Sequence, residues 1–508
     1  MTLRRALLAL ALTAGAALAA EPGPPKNDET YRAIVAAAKE PNRDIRVRVA
    51  EAIGRMGKAE ALDVIQQLAA DPAPEVRAQA LRAMKAFLPP KTQVKVTLDV
   101  PVGPDPLRLA ALSAASCVLF AQRDALVDEA FKNGSVSERV LAAQALALDP
   151  PVRKRTLLLP AAREGNEIVR AAALRAFDDP GDAEAVKLLW TCLEEKNGVN
   201  AFMVRAASAS TLGRLKITGA ALRTASADEH FMVRREAIAA LASAADAGAL
   251  SAVQSRVTDP DYTVREAACR ALGVIADKSS APLLAARMAD EMTEVRDAAS
   301  ASALKLVPAE AWSAFMPHIE QKDVDARRRV WRVLGQYVQP GTLETAYGHI
   351  KDTDGVVAGQ SVRIMRILGD RRLDEFVIGL LKFEISKPAP PDPVVVESFQ
   401  AAIDWKLQPP IPAAVFALKQ FIAPPPMIPP PFGCSSDLAV SSIRYLVAMD
   451  HKASVGVMEA ALAILIYDPA VYNDLRALLT KMTGKEYPPP PPPPPVVGAY
   501  FIDIESGK

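Results

Sequence analysis

The sequence predicts an all-α fold, an α-solenoid (superhelix) of about eleven helix-pair repeats that ends in an irregular, proline-rich helical cap. Three observations predict this fold class. An arginine recurs about every 31 residues, small apolar residues follow it at fixed distances, and the apolar half of the 508-residue chain is poor in aromatic residues (5% of the chain). The 60 lysines and arginines balance 59 aspartates and glutamates, which argues against a protein held on nucleic acid by bulk charge.

The amino terminus determines the expected compartment. A short basic segment ends at Arg5, an uncharged apolar run follows, and Ala17-Leu18-Ala19 has the small-x-small pattern of a signal-peptide cleavage site. We therefore expect a signal peptide at residues 1–19, a linker at residues 20–27, and an exported protein that is periplasmic or secreted. An uncleaved anchor is the alternative. No later apolar run is long enough to predict a membrane-spanning helix.

The repeat is clearest in one column of arginines. Its steps are 31 residues long, except for steps of 35 and 29 on either side of Arg205, and the register continues to Ala358. The arginine column consists of Arg46, Arg77, Arg108, Arg139, Arg170, Arg205, Arg234, Arg265, Arg296 and Arg327. The preceding residue is usually apolar, and small or β-branched residues stand three and six positions after the arginine. These positions share one helix face, so each unit should contain an amphipathic second helix that follows a first helix.

A second polar column, mostly acidic, stands six residues before the arginines, as in Asp71-Pro72 and Asp259-Pro260. A carboxylate there suits the turn between the two helices and the positive end of the second helix. Stacking of the units would bring the arginines beside these carboxylates, so we interpret both columns as a structural ladder. The ladder residues are Arg46, Arg77, Arg170, Arg205, Arg234, Arg265, Arg296, Asp71, Asp228, Asp259 and Asp290.

The best-formed unit reads Asp259-Pro260-Asp261-Tyr262-Thr263-Val264-Arg265-Glu266-Ala267-Ala268-Cys269-Arg270-Ala271-Leu272-Gly273. This pattern resembles the short bacterial HEAT-like repeat of the phycobilisome-lyase type, and the resemblance covers residues 28–372. It implies a right-handed solenoid used as a scaffold or binding surface, and some relatives act as chromophore lyases. Two units depart from the pattern, because Val102 replaces the acid and Glu138 replaces the apolar residue. Residues 94–102 are predicted to form an extended insert.

The composition changes after residue 386, where the predicted repeat solenoid (residues 28–386) ends. Between residues 388 and 431 stand 13 of the 42 prolines. Dense proline interrupts helices, so we predict a proline-interrupted helical region at residues 387–486 that caps the array. Residues 487–508 are predicted to be a polyproline rod followed by a tail of strand-like composition. This tail either adds to the sheet edge of a partner or remains unstructured.

Few residues suggest catalysis or metal binding. The four histidines lack metal-ligand spacing, and the sequence contains no phosphate-binding glycine loop, nucleophile elbow or zinc-protease helix. We therefore expect a protein that is not an enzyme, with no catalytic, cofactor-binding or metal site. The four cysteines are 75, 77 and 165 residues apart and are expected to be buried free thiols.

The fifth position after the arginine is the expected exposed face of the solenoid. Five of its eleven residues are arginines, which predicts a patch for an anion or an acidic protein over residues 266–372. A solvated face balanced by neighbouring acids is the alternative. The predicted patch residues are Arg270, Arg328, Arg332, Arg363, Arg366 and Trp331.

Together these patterns predict an exported, non-catalytic scaffold or protein-interaction module that presents an extended solenoid surface to a protein or an envelope polymer. The second hypothesis is a lyase-like or chaperone-like accessory protein that acts on a client protein. A cofactor absorbance spectrum and a screen for ligation or hydrolysis of clients would separate the two hypotheses.

Overall fold

The computed structural model describes residues 29–57, 61–88, 94–100, 105–146, 149–244, 246–305, 312–381, 392–422 and 435–490. These residues form two compact units, one that ends at Asp246 and one that begins at Ala247. The predicted signal peptide and linker, Cys434, and the predicted rod and tail beyond Pro490 lie outside the described residues. Within the described ranges, no helix is long and apolar enough to cross a membrane.

The amino-terminal unit is a succession of helices with two short strands on either side of its fifth helix. Its elements are α1 (Glu29–Ala37), α2 (Arg43–Met56), α3 (Leu62–Ala69), α4 (Pro74–Phe87), β1 (Val94–Lys95), α5 (Pro106–Ala114), β2 (Val118–Leu119), α6 (Arg123–Asn133), α7 (Val136–Ala145), α8 (Pro151–Arg163), α9 (Glu167–Ala176), α10 (Ala183–Leu193), α11 (Ala201–Arg214), α12 (Ala220–Ala225) and α13 (Phe231–Ser243).

The carboxy-terminal unit is helical throughout its described residues. Its α-helices are α14 (Leu250–Gln254), α15 (Tyr262–Ile275), α16 (Ala281–Arg287), α17 (Thr293–Ala303), α18 (Val324–Gln336), α19 (Leu343–His349), α20 (Gly355–Leu368), α21 (Leu373–Leu380), α22 (Asp392–Asp404), α23 (Ile411–Ile422), α24 (Ser436–Ala448), α25 (Val455–Ile464) and α26 (Pro469–Thr483). Short 3-10 helices join several of them.

The helices that carry the arginine column, the second helices, form one layer in each unit. In the amino-terminal unit, α2, α4, α5, α7, α9, α11 and α13 pack in that order, and in the carboxy-terminal unit α15, α17, α18 and α20 do so. First helices, such as α3, α8 and α10, pack against the second helix that follows them. The predicted all-α solenoid is therefore confirmed. The stack continues beyond the arginine column, because α22 packs on α20 and α24 packs on α22.

More positions of the second helices are buried than the sequence predicts. The third, fourth and seventh positions after the arginine register are buried in every unit. The fourth position was not among the predicted core positions, yet it includes Leu81, Ile238 and Trp331, all fully buried. A second helix is covered by the preceding unit, the following unit and its own first helix, so only a narrow strip of its surface remains in water.

Glycine allows the closest approach between second helices. A Cβ atom added at Gly213 would lie 2.5 Å from the Cα of Ala240, and one added at Gly273 would lie 2.7 Å from the Cβ of Ser302. Both glycines stand eight residues after the arginine of their unit. Because no side chain separates the backbones there, the helix axes can approach the lower end of the usual range of about 8–10 Å.

The insert before α5 departs from the helix-pair pattern. β1 and β2 pair in parallel, with Val94 opposite Val118. The amides of Val94 and Val96 donate to the carbonyls of Cys117 and Leu119 at 3.0 and 2.9 Å. Extended backbone was expected for this segment, but its strand partner was not, because the two-residue β2 has no sequence signature of its own.

Candidate interaction surface

Several arginines of the column join two consecutive turns, and Arg265 shows the complete pattern. Its Nε and Nη2 donate to the two carboxylate oxygens of Asp290, both at 2.9 Å. Its Nη1 donates to the carbonyls of Asp259 and Pro260 at 3.0 and 3.2 Å. The side chains of Arg265 and Asp290 are only 7% and 2% exposed. Such an arginine, which we call a rung, closes the turn of its own unit and binds the carboxylate of the next one.

The same bidentate contact between arginine and carboxylate recurs at other units. Arg46 binds Asp71 at 2.6 and 2.9 Å, and Arg205 binds Asp228 at 2.8 and 2.9 Å. The rungs join residues 23 to 25 positions apart, so each one connects consecutive repeats. The fork geometry of the guanidinium matches the carboxylate, and this match gives each rung a defined register.

Two rungs use an acid that the sequence register did not predict. Arg170 binds Glu195 at 2.6 and 2.8 Å, because the 35-residue step before Arg205 moves the acid to ten residues before that arginine. Arg296 lies 3.3 Å from Asp325, since glutamine occupies the expected position of the acid. These replacements keep the ion pair although the sequence column is broken.

Three further ladder residues, Arg77, Arg234 and Asp259, contact the turns of their own units. Arg77 donates through Nη1 to the carbonyls of Asp71 and Pro72 at 2.8 and 3.0 Å, while its buried Nε has no partner among the described atoms. Arg234 donates to the carbonyls of Asp228 and Glu229, both at 3.0 Å. Asp259 accepts the amide of Asp261 at 3.0 Å, which closes its own turn.

The rungs perturb the carboxylates that they bind. Burial opposes ionisation of Asp290, but hydrogen bonds from Arg265 and the Met292 amide outweigh it and hold the pKa of that carboxyl below its usual value. The same balance, set by Arg46, lowers the pKa of Asp71. At neutral pH both carboxylates are therefore charged, and the arginines that face them are neutralised.

Most of the predicted arginine patch is engaged by carboxylates of the same chain. Arg270 binds Glu266 at 2.7 Å, and Arg328 binds Asp354 at 2.7 Å. Arg363 and Arg366 both reach Glu397, at 3.3 and 3.1 Å, and Arg366 also binds Asp404 at 2.8 Å. Arg332 is exposed and has no hydrogen bond or ion pair within the described part of the chain. The structure thus brings Arg363 and Arg366 together on one acid, Glu397, which Arg332 does not share.

Trp331 is not on the surface, which corrects its assignment to the patch. Its side chain is fully buried, and its indole Nε1 donates to the carbonyl of Ile319 at 3.3 Å. The ring of His349 lies 4.9 Å away, centroid to centroid. Trp331 occupies the fourth position after the arginine, which is a core position in every unit. Its proximity in sequence to several arginines therefore does not place it beside a partner.

The structure shows a different apolar surface, at the turns of the amino-terminal unit. Three consecutive turns between first and second helices lie along one edge: residues 164–168, 194–202 and 228–231. We call these residues the turn edge. The rungs of Arg170 and Arg205 connect the turns, through Glu195 and Asp228 respectively.

Aromatic and aliphatic side chains are exposed on the turn edge. Phe202 stacks on His230 with ring centroids 3.8 Å apart and planes 13° apart, and His230 stacks on Phe231 at 4.9 Å and 23°. The Nδ1 of His230 accepts the Met232 amide at 3.3 Å, so the imidazole caps α13 and is fixed in orientation. Phe231 is 36% exposed, and Val199 is 93% exposed.

A cleft of about 470 Å³ opens on the same edge, between the end of α10 and α12. Its wall includes the buried Leu193 and Ala225 and the Arg205–Asp228 pair, and its exposed residues include Glu194, Lys196 and Glu229. Such a volume is within the range of ligand-binding clefts, about 300–1,000 Å³. The sequence analysis missed this site. Its one available signal was the phenylalanine that stands three residues before both Arg205 and Arg234.

Redox and metal chemistry have little support among the described residues. Cys117, Cys192 and Cys269 are buried and free. Burial raises the pKa of the Cys269 thiol to about 12, which disfavours a reactive thiolate. Within the described ranges, no group of three or more histidine, cysteine, aspartate or glutamate side chains is placed to hold a metal ion.

Comparison with known proteins supports the fold. Residues 9–98 and 219–305 match the family described as HEAT repeats. Kap95 in the solved Kap95:Nup1 complex is 14% identical, with a TM-score of 0.52, and the match covers 94% of this chain and 76% of that chain. Yeast importin-beta (Kap95p) is 13% identical, with a TM-score of 0.53 and the same coverage. No curated protein sequence matches the chain. The repeat matches in these two segments and the solenoid neighbours together support an all-α solenoid fold that contains HEAT repeats.

Proposed function

We propose that the protein is a non-catalytic scaffold that binds another protein at its turn edge. The stack of Phe202, His230 and Phe231 carries this proposal: Phe231 is exposed, Phe202 and His230 are half-buried, and contiguous apolar side chains open to water mark interaction sites. The rungs support it as well. Buried ion pairs at Arg170 and Arg205 fix the turns on which the exposed side chains stand, so a partner would meet a preorganised surface.

We further propose that the protein acts outside the cytoplasm. The basic, apolar and small-residue segments of residues 1–19 support this proposal. Its test is the amino-terminal residue of the mature protein, read by mass spectrometry from fractionated cells of the native source. Cleavage after Ala19 in an exported fraction supports export, and an intact terminus in the cytoplasmic fraction contradicts it.

Crosslinking in the native cell tests the scaffold. The full chain is compared with two variants, Phe202→Ser/Phe231→Ser at the turn edge and Arg332→Glu on the predicted arginine patch. We expect the first variant to lose a crosslinked partner that the second variant retains. Circular dichroism and thermal unfolding of both purified variants control for folding, since Phe202 is half-buried.

Two outcomes contradict this assignment. Loss of the partner from the Arg332→Glu variant alone would move the binding site to the arginine patch. Absence of any specific partner with the unmodified chain would remove the scaffold function itself.

A further inference from the structure

Resting on the proposed function, we infer that the turn edge binds a basic segment of its partner: one lysine or arginine enters the cleft and a neighbouring apolar residue packs on the aromatic stack. The cleft and the stack are adjacent, because Glu229 lines the cleft and the next two residues, His230 and Phe231, form the stack. A partner segment of a few residues therefore spans both.

Two cations line the cleft, Arg205 and the exposed Lys196, and of these Arg205 is not available to an anionic ligand. Arg205 directs Nε and Nη2 to Asp228 at 2.8 and 2.9 Å, and its Nη1 to the carbonyl of Glu195 at 3.0 Å. Only 5% of the Arg205 side chain is exposed. The guanidinium is thus held by groups of the chain, and the pair that it forms with Asp228 contributes no net charge.

The exposed charges that remain are mostly negative. The side-chain carboxylates of Glu164, Glu167 and Glu194 have no hydrogen bond or ion pair among the described residues; Glu164 and Glu194 are exposed and Glu167 is half-buried. Glu229 is an exposed carboxylate 3.4 Å from Arg205. Against these four carboxylates stands one exposed ammonium, Lys196. The turn edge therefore carries a net charge of about −3 from these groups, which attracts a cationic segment and repels an acidic one.

The shape of the cleft selects the kind of cation. Leu193, Ala221 and Ala225 offer an apolar wall, while Glu194 and Glu229 stand exposed on the same cleft. A lysine or arginine side chain has matching parts, since its aliphatic stem packs on apolar surface and its charged head remains near carboxylates and water. A small inorganic cation would gain nothing from the apolar wall.

The aromatic stack adds a second requirement. The face of Phe202 is covered by His230, and Phe231 is left partly exposed together with Val199, which projects almost completely into water. A leucine-sized side chain of the partner would bury apolar area of Phe231, and a nearby guanidinium or ammonium group is also attracted to aromatic faces. Basic and apolar residues close together in sequence are therefore the expected recognition pattern.

Fluorescence anisotropy with the full chain and dye-labelled synthetic peptides tests the inference. The probe is a twelve-residue glycine-serine peptide that contains two lysines flanking two leucines; its comparison peptides replace the lysines by glutamate or the leucines by serine. We expect saturable binding of the first peptide, weakening at higher salt, with at least tenfold weaker binding of both comparison peptides.

Matched variants locate the site. Glu194→Gln/Glu229→Gln removes two carboxylates of the cleft, and we expect at least tenfold weaker binding of the lysine peptide. Glu294→Gln/Glu375→Gln removes two exposed carboxylates of the other unit that have no partner among the described residues, and we expect a change of less than twofold. Phe231→Ser should abolish the preference for leucine over serine.

The outcomes separate this inference from the scaffold itself. Tighter binding of the glutamate peptide, or equal weakening by both carboxylate variants, would overturn the basic-segment inference. The scaffold would still stand if the Phe202→Ser/Phe231→Ser variant lost its crosslinked partner in cells. If neither the expected peptide binding nor the expected loss of the crosslinked partner were observed, both proposals would be overturned.

Discussion

Arg265 and Arg77 place the same side chain in two settings. Arg265 holds two carbonyls of its own turn and both carboxylate oxygens of Asp290 in the next unit. Arg77 holds the two equivalent carbonyls of its own turn, and its buried Nε has no described partner. The difference shows that the arginine has two separate tasks. Both arginines close the turn of their own unit, and Arg265 also links repeats because the next unit supplies an acid.

Removing each arginine in turn measures how much the link to the next repeat contributes to stability. We expect Arg265→Met to lower the free energy of unfolding by about 3–5 kcal/mol, because Asp290 would remain buried without its counter-charge. Arg77→Met should cost about 1–2 kcal/mol, since only hydrogen bonds to two carbonyls are lost. Urea denaturation followed by circular dichroism gives both values.

The double variant Arg265→Met/Asp290→Leu is the control for this comparison. Replacing a buried ion pair by apolar side chains is often nearly neutral, so most of the loss should be recovered. Equal losses for the two single variants would mean that the link to the next unit contributes nothing measurable.

The backbone contact between repeats can be broken in the same unit. Gly273→Ala should destabilise the protein by about 1–3 kcal/mol, because the added methyl group would lie 2.5 Å from Oγ and 2.9 Å from Cα of Ser302. Gly379→Ala on α21 is the matched control, since nothing lies within 4 Å of its added Cβ. We expect this variant to be more stable by about 0.5–1 kcal/mol, as helix propensity predicts. Destabilisation of both variants alike would show that close approach is not the cause.

Acid should weaken the Arg265–Asp290 contact between repeats, and should not weaken the contacts of Arg77 with the carbonyls of its own turn. The pKa of Asp290 is lower in the folded protein than in the unfolded chain, so its pairing contributes stability above the unfolded value of about 4. That contribution is lost as the pH falls through the folded pKa. The melting temperature of Asp290→Asn between pH 2 and 7 should therefore decline less on acidification than that of the unmodified chain. Parallel pH profiles would contradict this linkage.

The smallest effect on stability is expected for Arg332, which is not part of the arginine column that closes turns and links repeats. Arg332→Glu should change the free energy of unfolding by less than about 0.5 kcal/mol, because the side chain is exposed and lacks a partner among the described residues. Thermal unfolding at neutral pH measures it. A loss of stability comparable to that of Arg77→Met would mean that Arg332 contributes to the stability of the fold although its side chain is exposed.

Sequence reasoning could predict the layer of second helices, because the arginines and the small residues around them repeat with a nearly fixed period. It could not find the partner of Arg170, since a four-residue insertion moves Glu195 out of register. It also placed Trp331 on the surface. A helical wheel accounts for one contact face, whereas helices on three sides bury this position.

The turn edge was missed for a related reason. Phe202 and Phe231 precede their arginines by three residues, at the start of the second helices. Whether such a position is buried depends on the length and path of the turn before it, which no periodic pattern encodes. The ring contacts with His230 became visible only once both turns were placed.

The rungs at Arg46, Arg205 and Arg265 connect residues no more than 25 positions apart, which keeps the contact order of the layer low. Chains with such local contacts fold quickly, because little loop-closure entropy opposes each step. Folding can begin at any two complete repeats and propagate from each repeat to its neighbour. A chain released from one end would thus gain structure stepwise, long before its last residues became free.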